Sequence, residues 1–427
     1  MKPRVIVVGG GWSGCAAALA ANRAGAEAHL FEKTDMLLGA GLVGGIMRNN
    51  GRFVATEEMI AMGGGDLFKI ADRNARHKGI AFPGHQHADL YDVHRIEPDV
   101  SACLRKAGVI IHLMERVVDV ERDGATVVGV KTEYGESLSG DVFVDATGTS
   151  GPMGNCARYG NGCAMCVQRC PTFGPRVSIV ARMGVHEAQA ARAPEVYGAM
   201  SGSCKIAKDS LAPAIQKALH KTGVYIQTIP ETLVNRGKLS LKACQQYALP
   251  EYAESVVLLD TGHAKLMSPY FPLQDLRSLP GFERARYVDP YSGGRGNSVR
   301  FLAIAPRNMF LQVEGVQNLF CGGEKAGVLV GHTEAIVTGT LAGHNAVRRA
   351  QGLPLLGLPR STATGEFISE SGKAAATEEG LAQSYTFAGS VFFEHMKAKG
   401  LYSTDAEAIH KRIEREGLAG VFRARLT

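Results

Sequence analysis

The sequence predicts an α/β fold in which a discontinuous Rossmann-like domain carries an inserted α+β second domain. The first observation behind this is a βαβ unit at the start of the chain. Arg4–Val8 is a short apolar run typical of a buried parallel strand, Ser13–Ala24 is an Ala-rich helix, and Ala28–Glu32 has the character of the next strand. A glycine-rich turn joins the first strand to the helix, as Rossmann-like domains require.

The second observation is that the βα rhythm stops and later resumes. Residues 150–315 lack the alternation of strand and helix patterns, whereas Leu319–Cys321 predicts another strand and Thr333–Ala350 a long helix. We therefore expect two separate parts of the chain to build the first domain. The predicted domains are residues 1–150 with 316–360, an inserted domain of residues 151–315, and a helical C-terminal tail, 361–427, that packs on the first domain.

The remaining elements of the first domain follow from local patterns. Met36–Gly51 is rich in glycine and predicts mainly loop, and Thr56–His77 has helical character. Glu97–Ala107 predicts a helix that leads into another strand. Alternating apolar and polar residues on both sides of Asp123-Gly124 predict a hairpin, and Asp141–Ala146 predicts the strand that follows it.

Composition narrows the class of protein. The chain has 427 residues, enough for two or three domains, and 45% of them are hydrophobic. The net charge of +6 is modest and lacks a dense basic block, so an anionic ligand is compatible with it and RNA binding is possible without being indicated. No apolar run approaches the roughly 18 residues of a membrane helix, and we expect a cytoplasmic protein whose nine cysteines stay reduced.

The glycine motif after the first strand predicts a dinucleotide site. Gly9 permits the tight turn, Gly11 lets the backbone approach a diphosphate, and Gly14 lets helix and strand pack closely. Glu32 ends the second strand, where a carboxylate accepts hydrogen bonds from a ribose. FAD, NAD and a glycine-rich turn without any ligand all remain open from this motif alone.

Two distant segments favour FAD. A strand ends in Ala146-Thr147-Gly148, and Gly323-Glu324 precede a helix whose N-terminus would face a flavin and stabilise its reduced form. Glu324 and His332 are the candidate catalytic residues; His332 either assists proton transfer there or merely caps the helix. The candidate cofactor-binding residues are Gly9, Gly11, Gly14, Glu32, Lys33, Gly41, Val117, Ala146, Thr147, Gly148, Gly323, Glu324, His332 and Thr333.

A cluster of cysteines in the inserted domain predicts a metal or redox site. Cys163-x-x-Cys166-x-x-x-Cys170-Pro has the tight spacing and trailing proline of a ferredoxin-type [4Fe–4S] site, and Cys156 or Cys204 would supply the fourth ligand. Zinc is the main alternative, because Cys₄ zinc sites also use C-x-x-C pairs, and a thiol redox or structural role is the third.

The C-terminal third carries a set of short motifs, Gly323–Gly327, Gly331–Ala335, Thr338-Gly339, Leu341–Ala346 and Leu358–Gly365. In these motifs the chain resembles the GidA/TrmFO group of FAD-dependent tRNA-modifying proteins. The resemblance implies a glutathione-reductase-type FAD domain, an inserted second domain, and methylenetetrahydrofolate as the carbon donor for a uridine in RNA. The folate-dependent members hold a catalytic cysteine after the ribose-binding acid, whereas this chain has none between Cys15 and Cys103. With its extra cysteine cluster, the chain resembles an iron–sulfur-containing relative of the group.

The leading functional hypothesis is an FAD-dependent oxidoreductase whose cluster couples one-electron input to two-electron flavin chemistry. Its expected partners are a small-molecule or folate-like substrate and a protein electron donor such as ferredoxin. One alternative is a folate- and FAD-dependent RNA uridine methyltransferase. Another is an electron-transfer subunit with no catalysis of its own.

Overall fold

The computed structural model describes residues 2–148, 173–193, 196–197, 199–200, 204–242, 244–288, 299–300 and 302–427. The predicted metal ligands Cys156, Cys163, Cys166 and Cys170 lie outside the described residues.

The strands are β1 (Arg4–Val8), β2 (Glu27–Glu32), β3 (Ile46–Met47), β4 (Ala75–Phe82), β5 (His85–Tyr91), β6 (Ile110–Leu113), β7 (Val117–Asp123), β8 (Thr126–Thr132), β9 (Ser137–Ser139), β10 (Val142–Asp145), β11 (Ala188–Gln189), β12 (Ala191–Ala193), β13 (Val196–Tyr197), β14 (Ala199–Met200), β15 (Cys204–Ile206), β16 (Val224–Thr228), β17 (Ser255–Asp260), β18 (Ala264–Leu266), β19 (Val299–Arg300), β20 (Ala303–Ile304) and β21 (Leu319–Cys321). The α-helices are α1 (Trp12–Arg23), α2 (Gly41–Gly44), α3 (Gly51–Ala61), α4 (Asp66–Arg73), α5 (Ile96–Ala107), α6 (Ile179–Arg182), α7 (Pro213–Thr222), α8 (Glu251–Glu254), α9 (Leu273–Arg277), α10 (His332–Ala350), α11 (Ala363–Ala374), α12 (Glu378–Leu381), α13 (Ser390–Ala398) and α14 (Ala406–Arg415).

A five-stranded parallel sheet with the order β21-β10-β1-β2-β6 forms the centre of the first domain. Its first strand, Val5–Val8, is buried as a continuous apolar run, which parallel strands covered on both faces require. Strand β21 comes from residue 319 onward, so both ends of the chain contribute to one sheet. The predicted fold class, α/β with a discontinuous Rossmann-like domain, is confirmed.

Helices α1 and α10 pack closely against each other because glycine lines their contact. A Cβ atom built on Gly339 would lie 2.2 Å from the carbonyl oxygen of Ser13, and one built on Gly343 would lie 2.1 Å from that of Ala17. These separations are far below van der Waals contact, so no larger residue fits without moving a helix. The close approach brings the N-terminal ends of both helices to the same edge of the sheet.

A second unit is built around the antiparallel sheet β15-β18-β17-β16, with α7 packed on it. Cys204 lies fully buried in β15, opposite Leu266. The small sheet β3-β5-β4 shares a hydrophobic cluster with this unit, in which Phe82 and Leu90 join Val257. Residues before position 150 thus contribute to the core of the second unit, while the predicted domain boundaries themselves stay a prediction.

Two local predictions were wrong in detail. The helical segment Thr56–His77 ends at Arg73, is interrupted between α3 and α4, and gives way to strand β4. The three glycines 63–65 break the helix, and pairing of β4 with β5, with Ile80 opposite Ala88, overrides local propensity. The predicted loop Met36–Gly51 contains the short elements α2 and β3.

The C-terminal helices contact the first domain through α3. The Glu58 carboxylate accepts hydrogen bonds from the amides of Ala363 (2.8 Å) and Thr364 (2.9 Å) and so caps the start of α11. Arg412 of α14 lies 3.5 Å from the same carboxylate. Over the part of the chain that the structure describes, no helix combines the length and the apolar character needed to cross a membrane.

Candidate functional site

The turn between β1 and α1 is shaped by steric limits at two glycines. A Cβ atom on Gly14 would lie 1.7 Å from the carbonyl oxygen of Gly9, and one on Gly9, whose φ is +103°, would lie 2.4 Å from that of Ala146. Around a Cβ built on Gly11, in contrast, no described residue comes within 4 Å. Gly9 and Gly14 are therefore needed for packing, whereas Gly11 borders open space.

The start of α1 offers hydrogen-bond donors to that space. The first backbone amides of an α-helix have no partner within the helix. In α1 the N-cap residue Gly11 has no side chain that could accept from them, and the first turn carries no acidic residue. The hydroxyl of Ser13 is buried and has no hydrogen-bond partner among the described residues. An anionic group placed here would satisfy these donors and the positive end of the helix dipole.

Glu32 and Lys33 stand at the end of β2. One oxygen of Glu32 accepts from the amide of Gly10 at 2.8 Å, and the other accepts from the amide (2.9 Å) and hydroxyl (3.0 Å) of Thr34. The oxygen that faces Gly10 has a second lone pair, so a sugar hydroxyl can still donate to Glu32. Lys33 donates to the carbonyl oxygen of Gly174 at 2.7 Å and ties down the chain after residue 172.

A cleft opens next to the β1–α1 turn, between the edge of the parallel sheet, α10 and the second unit. Seven of the predicted cofactor-binding residues line it: Gly11, Gly41, Ala146, Gly148, Gly323, Glu324 and His332. They come from five separate stretches of the chain, and the fold alone brings them together. The opposite wall is formed by residues of the second unit, among them Cys244, Tyr247 and Lys265.

His332, the first residue of α10, is held by aromatic and polar neighbours. Its Nδ1 lies 3.1 Å from the hydroxyl of Tyr91, and that hydroxyl donates to the carbonyl oxygen of Gly41 at 2.5 Å. Because the Tyr91 proton is committed to Gly41, the Tyr91 oxygen accepts from His332, which places the His332 proton on Nδ1 and the lone pair on Nε2. Gly44 leaves room for the ring, since a Cβ there would lie 1.8 Å from the imidazole.

A buried ion pair supports the start of α10. Arg52 Nε lies 3.0 Å from Glu334 Oε1, and both side chains are almost completely buried. Burial works to lower the pKa of Arg52, but the Glu334 carboxylate more than offsets it and raises the pKa above its usual value. Arg52 also lines the cleft, so this pair adjoins the site without leaving an uncompensated charge.

The end of β10 is braced by a second buried polar cluster. Asp145 accepts hydrogen bonds from the amide (3.0 Å) and hydroxyl (2.7 Å) of Thr147 and from the hydroxyl of Ser178 (3.1 Å). Lys325 donates to Ser178 at 3.1 Å and contacts Glu187. Burial favours a raised pKa for Asp145, yet the Lys325 ammonium and the hydrogen bonds from Thr147 bring it below its usual value. The charged Asp145 thus fixes the turn that carries Thr147 and Gly148 past the cleft.

Comparison with protein families identifies the group to which the chain belongs. The sequence profile of the family described as "Glucose inhibited division protein A" matches residues 4–223 and 206–354. The chain belongs to the GidA family. The predicted resemblance to the GidA/TrmFO group is confirmed at the level of the family.

Three relatives of this GidA-family chain are named "tRNA uridine 5-carboxymethylaminomethyl modification enzyme MnmG". The one from Granulibacter bethesdensis is 25% identical over 414 residues, which covers 84% of this chain and 64% of the relative. Those from Metamycoplasma arthritidis and Thermus thermophilus are 31% and 36% identical over 116 and 103 residues, covering 27% and 24% of this chain and 18% and 16% of the relatives. This chain therefore spans less than two thirds of the length of these curated relatives.

Solved structures support the same fold. A crystal structure of Aquifex aeolicus GidA superposes with a TM-score of 0.67 at 19% sequence identity and covers 97% of this chain and 76% of the other. A second crystal form of that protein gives a TM-score of 0.65 at 16% identity, with 97% and 79% of the two chains covered. The GidA-family fold thus extends over nearly all of this chain.

Some predicted site residues of the GidA-family chain do not themselves line the cleft. Val117 is buried in β7, where it pairs with Thr132, and Thr333 is buried with its hydroxyl 3.7 Å from the sulfur of Met47. Thr147 turns its hydroxyl to Asp145. Of the predicted metal ligands, only Cys204 belongs to the described residues, and those residues contain no group of three or more metal-binding side chains.

Sequence patterns missed several residues of the cleft. Arg52, Cys244 and Lys265 line it, and Tyr91 positions His332, yet none of them belongs to a motif. Their only signal was residue type, which does not separate a cleft residue from a surface one. Cys321, by contrast, sits in the core as part of β21, and burial raises the pKa of its thiol to about 12.

Proposed function

We propose that this chain binds FAD in the cleft and uses it for an oxidoreductase step within an enzyme reaction. The observation that carries the proposal is the convergence of two helix starts, those of α1 and α10, on one cleft bordered by Gly11 and His332. The first suits a diphosphate and the second the negative charge of a reduced flavin. When bound, FAD would supply hydride transfer at its ring system.

The residues of the chain have distinct tasks in this proposal. The amides at the start of α1 and the hydroxyl of Ser13 bind the diphosphate, and Glu32 accepts from the ribose. Glu324 lies in the cleft, shortly after β21, where it orients the sugar-like chain of the cofactor. His332 lines the cleft with its ring held at Nδ1 by Tyr91, and it takes part in proton transfer there.

The experiment for this proposal is purification with and without added FAD. We expect the yellow colour of a flavoprotein, one FAD per chain, and protection of the protein against thermal unfolding by FAD. NADH and NADPH serve as competitors, because a dinucleotide site for nicotinamide would bind them instead. A protein that binds NADH but not FAD, or neither, would show the assignment to be wrong.

We further propose that the substrate is a uridine in RNA. The support is membership of the GidA family together with the names of the relatives, which are tRNA uridine modification enzymes. The cleft wall adds an aromatic ring, Tyr247, which suits a planar base. Nucleoside mass spectrometry of tRNA from cells with and without the gene tests this, and unchanged uridines would contradict it.

The iron–sulfur cluster is a separate proposal that rests on the spacing of Cys163, Cys166 and Cys170. The described residues on either side of the cysteine segment lie beside the cleft, since Gly148 lines the cleft and Arg176 donates to the Gly148 carbonyl oxygen. Anaerobic iron and sulfide analysis of single Cys→Ser variants tests the proposal, with Cys156 and Cys204 as candidates for the fourth ligand. Metal without sulfide would favour zinc. No metal would leave the thiol or structural role.

Two alternatives from the sequence stay predictions. Transfer of label from methylenetetrahydrofolate into RNA would support a folate-dependent uridine methyltransferase. Rapid reduction by ferredoxin without turnover of any substrate would support an electron-transfer subunit.

A further inference from the structure

A threonine from the C-terminal tail completes the ion pair below the cleft. The hydroxyl of Thr386 donates to Glu334 Oε1 at 2.7 Å, and it accepts from Arg52 Nη2 at 3.2 Å and from the amide of Ala388 at 3.1 Å. A hydroxyl has one donor and two acceptor positions, so every one of them is used. Glu334 and Thr386 are fully buried, and Arg52 is nearly so.

The ion pair in turn sets the position of the cleft residues at the start of α10. A Cβ atom on Gly331 would lie 2.0 Å from Glu334 Oε2 and 2.2 Å from Arg52 Nη2, so the pair lies directly against that glycine. Arg52 Nη2 also approaches the carbonyl oxygen of Val330 at 3.4 Å. Val330, Gly331 and His332 all line the cleft. A shift of the ion pair must therefore move the cleft wall.

The tail is also joined to the same place by its backbone. The amide of Val330 donates to the carbonyl oxygen of Tyr385 at 3.1 Å, and the amide of Tyr385 donates to the carbonyl oxygen of Val328 at 2.8 Å. The amide of Phe387 is a third donor to Glu334, at 3.0 Å, after Arg52 and Thr386. Residues 385–388 and the start of α10 thus form one bonded unit.

We propose that Thr386 is a positioning residue for the flavin site. Its hydroxyl holds Glu334 and Arg52 in the geometry that aims the first amides of α10 and the ring of His332 into the cleft. The inference rests on the proposed function, since it assumes that a flavin lies there. Without the hydroxyl, Glu334 loses a donor and Arg52 an acceptor, so the carboxylate is less well compensated and the helix start is less well fixed. Both effects oppose negative charge on a reduced flavin.

The test compares Thr386→Val, which removes the hydroxyl at nearly constant size, with Thr386→Ser, which keeps it. In the protein without FAD, amide hydrogen exchange of residues 331–335 should be at least tenfold faster in Thr386→Val than in the wild type, and close to wild type in Thr386→Ser. In the FAD-loaded protein, Thr386→Val should bind reduced flavin about tenfold less tightly relative to oxidised flavin, a fall of about 30 mV in the two-electron potential. Thermal melting of each variant checks that it is folded.

The outcomes separate this inference from the proposed function. Unchanged exchange and unchanged potential in Thr386→Val would overturn it, as would equal changes in the Ser and Val variants, because Thr386→Ser keeps the hydroxyl and would then behave like the variant that lacks it. A wild-type protein that binds no FAD contradicts the proposed function, whereas the exchange experiment still tests the role of Thr386. If Thr386→Val does not fold, Thr386→Ala removes the hydroxyl with the same expected results.

Discussion

Two glycines of one motif should respond differently to the same substitution. Gly14→Ala places a Cβ 1.7 Å from the Gly9 carbonyl oxygen, whereas Gly11→Ala meets no described atom within 4 Å. The first change requires the β1–α1 turn to move by more than an ångström, and overpacking of this kind costs about 1–3 kcal/mol. The second leaves the packing intact and changes only an extended N-cap residue, where alanine is a poorer cap than glycine by about 0.5–1 kcal/mol. The free energy of unfolding of the FAD-free protein, from denaturant titration, measures both.

Binding of FAD should show the complementary result. The methyl group of Gly11→Ala occupies space that the proposed diphosphate needs, so we expect at least a tenfold loss of FAD affinity in a protein of normal stability, measured by fluorescence quenching. Gly237→Ala is a suitable control for adding a methyl group at a residue that does not line the cleft, because the nearest atom to the new Cβ is the Asn235 side-chain oxygen at 3.3 Å. Gly352→Ala is unsuitable because the φ of Gly352 is +66°, which alanine rarely adopts. Wild-type FAD affinity in Gly11→Ala would refute the proposed placement of the diphosphate. A strongly destabilised Gly11→Ala would refute the open space itself.

Three further predictions concern the tail, pH and the thiols. Glu58→Ala leaves the amides of Ala363 and Thr364 and the Thr364 hydroxyl without their buried acceptor, and it should lower the free energy of unfolding by about 3 kcal/mol. Glu58→Gln keeps one acceptor oxygen and should lower it clearly less. Equal losses in the two variants would contradict the capping role of Glu58. Burial lowers the pKa of His344 to about 4, so only the unfolded state gains a proton as the pH falls from about 6.5. The contribution of the neutral histidine to the free energy of unfolding is then fully present above pH 6.5, and it falls toward pH 4 by up to about 1.4 kcal/mol per pH unit. The denaturant midpoints at pH 7 and pH 5 should therefore differ less in His344→Leu than in the wild type. An equal difference in both proteins would argue against a buried neutral histidine. Among the cysteines of the described residues, iodoacetamide should label the half-buried Cys103 and Cys244 but neither Cys15 nor Cys321, because burial raises the pKa of both. Bound FAD should protect Cys244 in the cleft but not Cys103, as peptide mass spectrometry would show.

Two contacts join the C-terminal tail to the first domain. Glu58 ties α11 to α3, and Thr386 ties the following segment to the start of α10. The two contacts are predicted to have different consequences, since the first stabilises the fold and the second positions the cleft wall. Their variants therefore allow a loss of function through unfolding to be distinguished from a loss through misplacement.

The main elements of the first domain could be predicted from the sequence because each one has a signal within a short stretch of residues. Val5–Val8 is apolar at every position and must be covered on both faces, which predicted a parallel strand. Gly14 is required by its close contact with Gly9 inside a single βαβ unit, and the glycine spacing alone located the turn, whereas the close contact of Gly9 is with Ala146 after β10. The late strand and helix, at Leu319–Cys321 and from His332, were also readable from their patterns.

The side chains that meet at the cleft come from segments far apart in the chain. His332 pairs with Tyr91 across 241 residues, and Arg52 reaches Thr386 across 334. Such pairs depend on how helices and sheets pack, and no local propensity or spacing records that. The strand β4 shows the same limit, because pairing with β5 overrode a helical pattern. Local patterns therefore predict the βαβ unit and its glycine turn, whereas the packing of distant segments sets the walls of the cleft and the orientation of His332.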